Sequence, residues 1–172
     1  SSSGEGFADL LADQTDIVMS TREISTTERK LAREAGMGDM TQLGRARVLA
    51  LDALVAIVSN QNPVEDISVL ELSEIYSGKL KNWKELGPQE AAITPYLRDI
   101  ETGSGAVALQ RLLLKKNQTS GSETRFSTDN FDLSQRVSID PFGIGLVGRS
   151  ATLDTKILTL TGPCGRSLRP TR

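Results

Sequence analysis

The chain has 172 residues, of which 38% are hydrophobic, and its formal net charge at pH 7 is −2. This length suffices for one domain, or for two small lobes, with a buried core. The nearly balanced charge gives no basic face for nucleic acid, and no apolar run approaches the roughly 18 residues of a membrane helix. The N-terminus lacks the pattern of a signal peptide, which leaves the compartment open.

Two residue types that build many catalytic and metal sites are scarce. The chain has no histidine, which excludes Ser-His-Asp and Cys-His nucleophiles and histidine metal sites. Its one cysteine, Cys164, excludes a cysteine cluster for zinc or iron–sulfur and cannot form an internal disulfide. Cys164 is either a free thiol or the partner of a cysteine outside this chain. We therefore expect no metal and no cofactor.

The N-terminus begins with a hydroxyl-rich segment, Ser1-Ser2-Ser3-Gly4. It precedes three apolar residues at helical spacing, Phe7, Leu10 and Leu11. Glu5 would lie in the first turn of the helix, where a negative charge is favourable. The segment predicts a turn that leads into a helix, with a frayed terminus as the alternative.

Residues 16–20, DIVMS, predict a short buried strand. Ser25 and Glu28 have the spacing of a capping box, in which each side chain bonds the other residue's backbone N–H. The box predicts a helix over residues 26–35, and Gly36 is the residue that ends it.

A long β-type run covers residues 48–59, with Asp52 inside it. This pattern predicts a chain that crosses between two lobes, and an edge strand with one solvent-facing aspartate is the alternative. Ser68 and Glu71 make a second capping box. The helix that it opens has one apolar face, formed by Leu72, Ile75 and Tyr76. Trp83, the only tryptophan, is predicted to be a packing anchor.

The stretch over residues 93–114 predicts a strand, a tight turn and a helix. The strand ends at Arg98, and the turn contains Thr102, Gly103 and Ser104. Glycine lets the backbone approach a ligand, and the free N–H groups of a helix start favour an anion. Arg98 can reach that anion through two parallel N–H bonds, or pair with a surface carboxylate instead. We predict a site for a small oxyanion, or for the phosphate or carboxylate of a larger ligand.

The rest of the chain predicts a short helix over residues 131–137 and strands over residues 142–147 and 156–160, followed by an irregular tail. Strands that alternate with helices indicate an α/β fold with a largely parallel sheet. Residues 103–108 also fit G-x-G-x-x-A, a dinucleotide fingerprint, but the acidic residue expected about 20 positions later would lie in a loop. A Rossmann-like nucleotide-binding enzyme fragment is therefore the alternative.

Five segments, in this order, resemble the phosphate-binding periplasmic protein family of ABC importers: residues 16–24 (DIVMSTREI), 50–64, 76–87 (YSGKLKNWKELG), 98–104 (RDIETGS) and 140–148 (DPFGIGLVG). The SGK-x-x-NWKE-x-G piece is the most specific, and the resemblance covers nearly the whole chain. It implies a two-lobed, type II periplasmic-binding-protein-like α/β fold with mainly parallel sheets and crossing strands. Lobe one would comprise residues 1–53 and 149–172, and lobe two residues 54–148, with an anion bound between them.

The family's ligand motifs have counterparts in this chain. The ligand-binding residues that the resemblance implies are Ser2, Ser3, Gly4, Thr21, Arg22, Arg98, Thr102, Gly103 and Ser104. A register shifted by two would use Ser104 and Gly105 instead. Phosphate-specific members carry an aspartate, an acceptor for a protonated phosphate, where this chain has Thr21. The ligand therefore stays open among phosphate, sulfate and other anions. Arg22 would either add positive charge near the cleft or face solvent.

The family begins with a strand, a helix and another strand before its Ser-Ser-Gly turn, so the chain resembles a fragment with an incomplete lobe one. We expect such a piece to bind anions more weakly than its parent. We also expect it to self-associate through exposed strand edges, or to retain the missing segment. Some relatives continue into an OmpA-like envelope domain.

The resemblance implies an exported, non-enzymatic module of the periplasm or cell envelope that captures phosphate or a similar oxyanion. It would serve ABC import or envelope sensing, with an ABC permease or an envelope domain as partner. Neither a nucleic acid partner nor a membrane span is expected. A structural or sensing module that has lost the ligand is a further alternative.

Overall fold

A computed structural model describes residues 3–49, 53–99, 121–162 and 167–168. Contacts between Cα atoms divide them into two compact units. Residues 3–49 form unit 1, and the other described residues form unit 2. The predicted oxyanion turn and the helix after it fall within residues 100–120, outside the described residues, as does Cys164.

Unit 1 contains two helices, α1 (Ser3–Leu11) and α2 (Thr26–Glu34). Both were predicted, and the capping box at the start of α2 is present. Gly36, the predicted end residue, follows the cap of α2 with a φ of 77°. This left-handed conformation suits glycine, which has no Cβ to clash with the backbone.

The buried strand predicted over residues 16–20 is wrong. No strand occurs among residues 3–49, and the side chains of Ile17 and Met19 are 81% and 83% exposed. An extended run becomes a strand only when a second segment pairs with its backbone, and the described part of unit 1 offers no such partner. The apolar composition of this segment therefore did not decide its structure.

Unit 2 is built on a five-stranded sheet with the order β4-β3-β5-β1-β6. Its strands are β1 (Leu54–Val58), β3 (Thr94–Arg98), β4 (Arg125–Ser127), β5 (Gly143–Gly148) and β6 (Lys156–Ile157). β3 pairs in parallel with both β4 and β5, whereas β1 pairs antiparallel with β5 and β6. The predicted α/β class is confirmed.

A second sheet of three strands joins β2 (Asp66–Ser68), β7 (Thr159–Thr161) and β8 (Ser167–Leu168) in the order β2-β7-β8. β2 and β7 are parallel, and β7 and β8 are antiparallel. The single strand predicted over residues 156–160 is thus divided between two sheets, and the tail predicted as irregular contributes β8. Residues 149–162 group with unit 2, and the division into lobe one (residues 1–53 and 149–172) and lobe two (residues 54–148) stays a prediction.

Two helices cover the larger sheet: α3 (Val69–Tyr76) and α4 (Asn130–Ile139). The capping box between Ser68 and Glu71 is present, as predicted. Trp83 is fully buried and its Nε1 donates to the carbonyl oxygen of Phe142 at 2.9 Å, which confirms its role as a packing anchor. None of the helices in the described ranges is long and apolar enough to span a membrane.

Strand β1 separates two hydrophobic clusters. Ala56 and Val58 belong to the cluster that contains α3 and Trp83, and Val55 and Ile57 belong to the cluster with Leu133 of α4. Because successive strand side chains point to opposite faces, this alternation buries both faces of β1. Among the described residues of the β-type run predicted over residues 48–59, residues 54–58 form the strand, and the first members of the run, Val48 and Leu49, are exposed.

Candidate functional site

Two of the predicted ligand residues are in contact in unit 1, although they lie 18 positions apart in the chain. Ser3 is the first residue of α1 and is buried. The backbone N–H of Thr21 donates to Ser3 Oγ at 3.2 Å, and the two hydroxyl oxygens lie 3.4 Å apart. The resemblance implied both residues as ligands, and the structure brings them together at the N-terminal turn of a helix.

This arrangement leaves hydrogen-bonding capacity for a ligand. A serine hydroxyl carries one hydrogen and two lone pairs, so Ser3 Oγ can accept from Thr21 and still donate. The first N–H groups of a helix have no partner within the helix, and they carry the positive end of its dipole. Ser3, the exposed Thr21 and the N–H groups of the first turn, where Gly4 also lies, therefore form a set of donors suited to an oxyanion.

Helix α1 approaches the segment before Thr21 closely because Gly6 has no side chain. A Cβ placed on Gly6 would lie 2.8 Å from Cγ1 of Val18, which is closer than real carbon contacts allow. A valine side chain has little rotational freedom to move away. Glycine at this position thus allows the close packing of residues 16–21 on α1.

Arg22, the next predicted ligand residue, binds a carboxylate of its own unit. Its Nη1 donates to Oε2 of Glu28 at 2.8 Å, and its Nη2 donates to Oε1 at 2.7 Å. Nη1 also donates to the carbonyl oxygen of Glu23 at 3.0 Å, and the guanidinium carbon lies 5.3 Å from the centroid of the Phe7 ring. The geometry is a bidentate ion pair with an aromatic ring against the guanidinium.

The ion pair changes the acidity of Glu28. The hydrogen bond from Arg22 is the main cause that lowers the pKa of Glu28 to about 2, and bonds from Ser25 contribute in the same direction against the effect of burial. The backbone N–H of Ser25 donates to Glu28 Oε2 at 2.8 Å, as part of the capping box. The carboxylate of Glu28 therefore accepts hydrogen bonds both within the capping box of α2 and from Arg22.

Sequence reasoning assigned Glu28 only to the cap and Phe7 only to the apolar face of α1. An arginine six residues before a capping-box glutamate was the available signal for the ion pair. This signal was weak, because an arginine six positions before a glutamate contacts it only when the chain turns before the helix that carries the glutamate.

In unit 2, Arg98 is the last residue of β3 and is half-buried. Its register partner on the parallel strand β4 is Ser127, the last residue of that strand, and the N–H of Asp99 donates to the carbonyl oxygen of Ser127 at 3.0 Å. Because the strands are parallel, their carboxyl ends share one edge of the sheet, where α/β proteins form ligand sites. Ser127, which is buried, was not singled out from the sequence.

A second polar cluster in unit 2 lies on β3. The Tyr96 hydroxyl donates to Oδ2 of Asp140 at 3.0 Å and accepts from Nη1 of Arg125 at 3.3 Å. Burial, with a smaller effect of the Asp140 carboxylate, raises the pKa of Tyr96, so the hydroxyl keeps its proton. The cluster ties β4 and the end of α4 to β3 and thereby supports the strand that carries Arg98.

Four predicted ligand residues, Ser2, Thr102, Gly103 and Ser104, lie outside the described residues and stay predictions. The described residues contain no group of three or more histidine, cysteine, aspartate or glutamate side chains that could hold a metal ion.

Comparisons with known proteins agree with the resemblance found in the sequence. The chain is 30% identical over 132 residues to the phosphate-binding protein PstS of Borreliella burgdorferi, covering 73% of this chain and 46% of that protein. It is 28% identical over 179 residues to protein SphX of Synechococcus elongatus, covering 99% of this chain and 51% of that protein. The chain thus spans about half the length of these relatives.

A solved structure shows the same fold. A putative phosphate ABC transporter substrate-binding protein from Clostridium perfringens, with bound phosphate, superposes with a TM-score of 0.76 at 22% identity. The match covers 92% of this chain and 61% of that one. A family model described as PBP superfamily domain matches residues 1–168. The chain therefore belongs to the PBP superfamily.

Proposed function

We propose that this chain is a solute-binding module, not an enzyme, that captures a small oxyanion, with phosphate as the first candidate. The names of its relatives support this proposal, since PstS is called a phosphate-binding protein and the solved relative from Clostridium perfringens holds phosphate. The chemistry of its described residues supports it as well. Hydroxyls, helix-start N–H groups and one strand-end arginine are donors for a tetrahedral anion.

One observation carries the proposal: the contact between Ser3 and Thr21. The resemblance implied each residue as a ligand separately, and nothing in their sequence spacing brings them together. Their hydroxyls lie 3.4 Å apart at a helix start, so both can donate to oxygens of a single bound anion.

Each unit, taken by itself, carries its own kind of donor for an anion. Unit 1 has Ser3, Thr21 and the N–H groups of the first turn of α1. Unit 2 has Arg98 at the carboxyl end of β3, and the turn with Thr102, Gly103 and Ser104 stays a prediction. A guanidinium can bind two oxygens of one anion at once, whereas hydroxyl and N–H groups are neutral donors.

We also propose that the protein acts in the periplasm or cell envelope, with an ABC permease or an envelope domain as its partner. The name of the solved relative, a substrate-binding protein of an ABC transporter, supports this context.

The first experiment separates a binding module from a nucleotide-binding enzyme fragment. The melting temperature of the chain is measured with phosphate, sulfate, chloride, NAD and NADP. We expect phosphate to raise the melting temperature and the two dinucleotides to leave it unchanged. A shift with a dinucleotide alone would support the enzyme alternative instead.

The second experiment tests Arg98 by calorimetric titration with phosphate. If the guanidinium binds the anion away from water, Arg98→Ala should cost roughly 2–5 kcal/mol of binding free energy. Arg98→Lys should restore only part of it, because an ammonium group cannot form the two parallel bonds. Arg47→Ala removes an exposed arginine and is the matched control. Unchanged affinity in Arg98→Ala would remove Arg98 from the site.

The third experiment tests the pair of hydroxyls. Ser3→Ala and Thr21→Ala should each weaken phosphate binding by about 1 kcal/mol, the net value of a typical hydrogen bond. Thr27→Ala removes an exposed hydroxyl from α2 and is the control, with no expected change. If neither hydroxyl affected binding while Arg98→Ala did, the contact between Ser3 and Thr21 would have only a structural role.

A further inference from the structure

We infer that Arg22 is a positioning residue: through its ion pair with Glu28 it holds Thr21 against Ser3, and it does not touch the anion itself. The inference rests on the proposed function, because the groups that Arg22 positions are the proposed donors of unit 1. It replaces the two roles that the sequence suggested for Arg22, a charge near the cleft or a side chain in solvent.

The first step is that the guanidinium is bound on its edge and on its face. The two terminal nitrogens of Arg22 donate hydrogen bonds to the two carboxylate oxygens of Glu28. The ring of Phe7 in α1 packs against the plane of the guanidinium. The side chains of Arg22 and Glu28 are only 21% and 16% exposed. An arginine held in this way cannot turn toward an anion without breaking two charge-assisted hydrogen bonds.

The second step is that the backbone around Arg22 is fixed as well. Ser20 Oγ donates to the carbonyl oxygen of Arg22 at 2.6 Å and accepts from its N–H at 3.2 Å. Thr21 lies inside this small loop, and its own N–H reaches Ser3 Oγ. Thr21 is therefore the immediate chain neighbour of the residue whose side chain the ion pair holds, within a loop closed by two hydrogen bonds.

The third step is that the other end of the ion pair is anchored to a helix. Glu28 accepts from the N–H of Ser25, while Ser25 Oγ accepts from the N–H of Glu28 at 3.2 Å. The carboxylate is thus part of the first turn of α2. Contacts run without interruption from α2 through Glu28, Arg22 and Thr21 to α1.

Removing the charge of Glu28 distinguishes direct anion binding by Arg22 from positioning of Thr21 by Arg22, because the two roles predict opposite effects on anion affinity. If Arg22 bound the anion directly, Glu28 would compete for the guanidinium, and Glu28→Gln would strengthen anion binding. If Arg22 positions Thr21, the same substitution loosens the donors and weakens binding. Glutamine can still form the capping box, so Glu28→Gln tests the ion pair rather than the cap.

The experiment titrates the whole chain with inorganic phosphate by calorimetry. Glu28→Gln and Arg22→Lys should each weaken phosphate binding about fivefold. Each substitution weakens the Arg22–Glu28 ion pair by about one charge-assisted hydrogen bond. Glu34→Gln, which removes an exposed carboxylate of α2 that lies 3.8 Å from Lys30, is the matched control and should bind as the unaltered chain does. Stronger binding in Glu28→Gln would overturn the inference.

A second measurement needs no anion. The exchange rate of the Thr21 amide hydrogen, followed by NMR, reports its bond to Ser3 Oγ. We expect faster exchange in Glu28→Gln and in Arg22→Lys but not in Glu34→Gln, and an unchanged rate in the first two would overturn the inference. If the unaltered chain did not bind phosphate, the proposed function would be wrong. The exchange rate of the Thr21 amide hydrogen would still decide whether Arg22 positions Thr21.

Discussion

The two units of this protein hold their residues in place by different means. In unit 2, two hydrophobic clusters enclose both faces of β1, and Trp83, Leu133 and Ile57 are fully buried. Among residues 3–49 of unit 1, Ala32 is the one hydrophobic residue that is buried, while Ile17 and Met19 are more than 80% exposed. In the described part of unit 1, the capping box of α2, the contact between Ser3 and Thr21 and the Arg22–Glu28 ion pair are polar interactions that hold the segments together.

The difference shows that similar local signals can occur in very different environments. Both units contain a complete capping box, from Ser25 to Glu28 in unit 1 and from Ser68 to Glu71 in unit 2. Each starts its helix as predicted, because a cap involves residues only three positions apart. Burial of apolar surface contributes far more free energy than a cap, and it is concentrated in unit 2.

The largest expected effect is the removal of a core side chain from unit 2. Leu133→Ala should lower the free energy of unfolding by about 2–5 kcal/mol, because it leaves a cavity between α4 and the sheet. Urea unfolding followed by the fluorescence of Trp83 measures this in unit 2 itself. Leu43→Ala, at a position that is 90% exposed in unit 1, is the control and should change stability by less than about 0.5 kcal/mol. A loss below about 1 kcal/mol in Leu133→Ala would contradict the packing of α4.

A smaller effect is expected when acid breaks the ion pair of unit 1. The pKa of Glu28 is about 2 in the folded protein and about 4.3 in an unfolded chain. Because the folded pKa is the lower one, the stabilisation is fully present above pH of about 4.3 and is lost as the pH falls to about 2. We expect a loss of about 1–2 kcal/mol from unit 1.

Urea unfolding at a series of pH values, followed by the NMR signals of α2, measures this loss. Glu28→Gln should remove the dependence that belongs to this pair, while the signals of β1 in unit 2 should not respond to that substitution. An equal pH dependence with and without Glu28 would mean that other carboxylates cause it.

The two capping boxes allow a matched comparison between the units. Ser25→Ala and Ser68→Ala should each cost about 1 kcal/mol of stability, since each leaves a first-turn N–H without its acceptor. The first change should appear in the NMR signals of α2 and the second in the fluorescence of Trp83. A much larger cost for Ser25→Ala would show that the cap also supports the Arg22–Glu28 pair.

The smallest effect on unfolding is expected at the exposed apolar residues of unit 1. Ile17→Lys together with Met19→Lys should change stability by less than about 0.5 kcal/mol. The double substitution should reduce self-association, measured by light scattering, because exposed apolar patches promote contact between chains. Leu70→Lys, at a half-exposed position of α3, is the control and should leave self-association unchanged. A chain that is monomeric before any substitution would refute the expected self-association.

The sequence predicted helices α1 to α4, the two caps, the burial of Trp83 and the strand that ends at Arg98, all of which the structure confirms, while the helix predicted within residues 100–120 lies outside the described residues. It also predicted the family, which the matching family model confirms. It was wrong about the strand over residues 16–20 and about the length of the run over residues 48–59. In both cases an apolar, β-branched composition was present, but the partner strands that make such a run a strand depend on distant parts of the chain.

Of the candidate site, the sequence alone determined the residue types and the local turns: a hydroxyl at the start of α1, an arginine at the end of β3 and a glutamate within the cap of α2. These follow from interactions over a few residues, which composition and spacing reveal. Tertiary structure alone decided that Thr21 contacts Ser3 across 18 residues and that Arg22 is bound by Glu28 and Phe7. The physical reason is that the path of the chain between such residues decides which polar groups meet, and spacing does not encode that path.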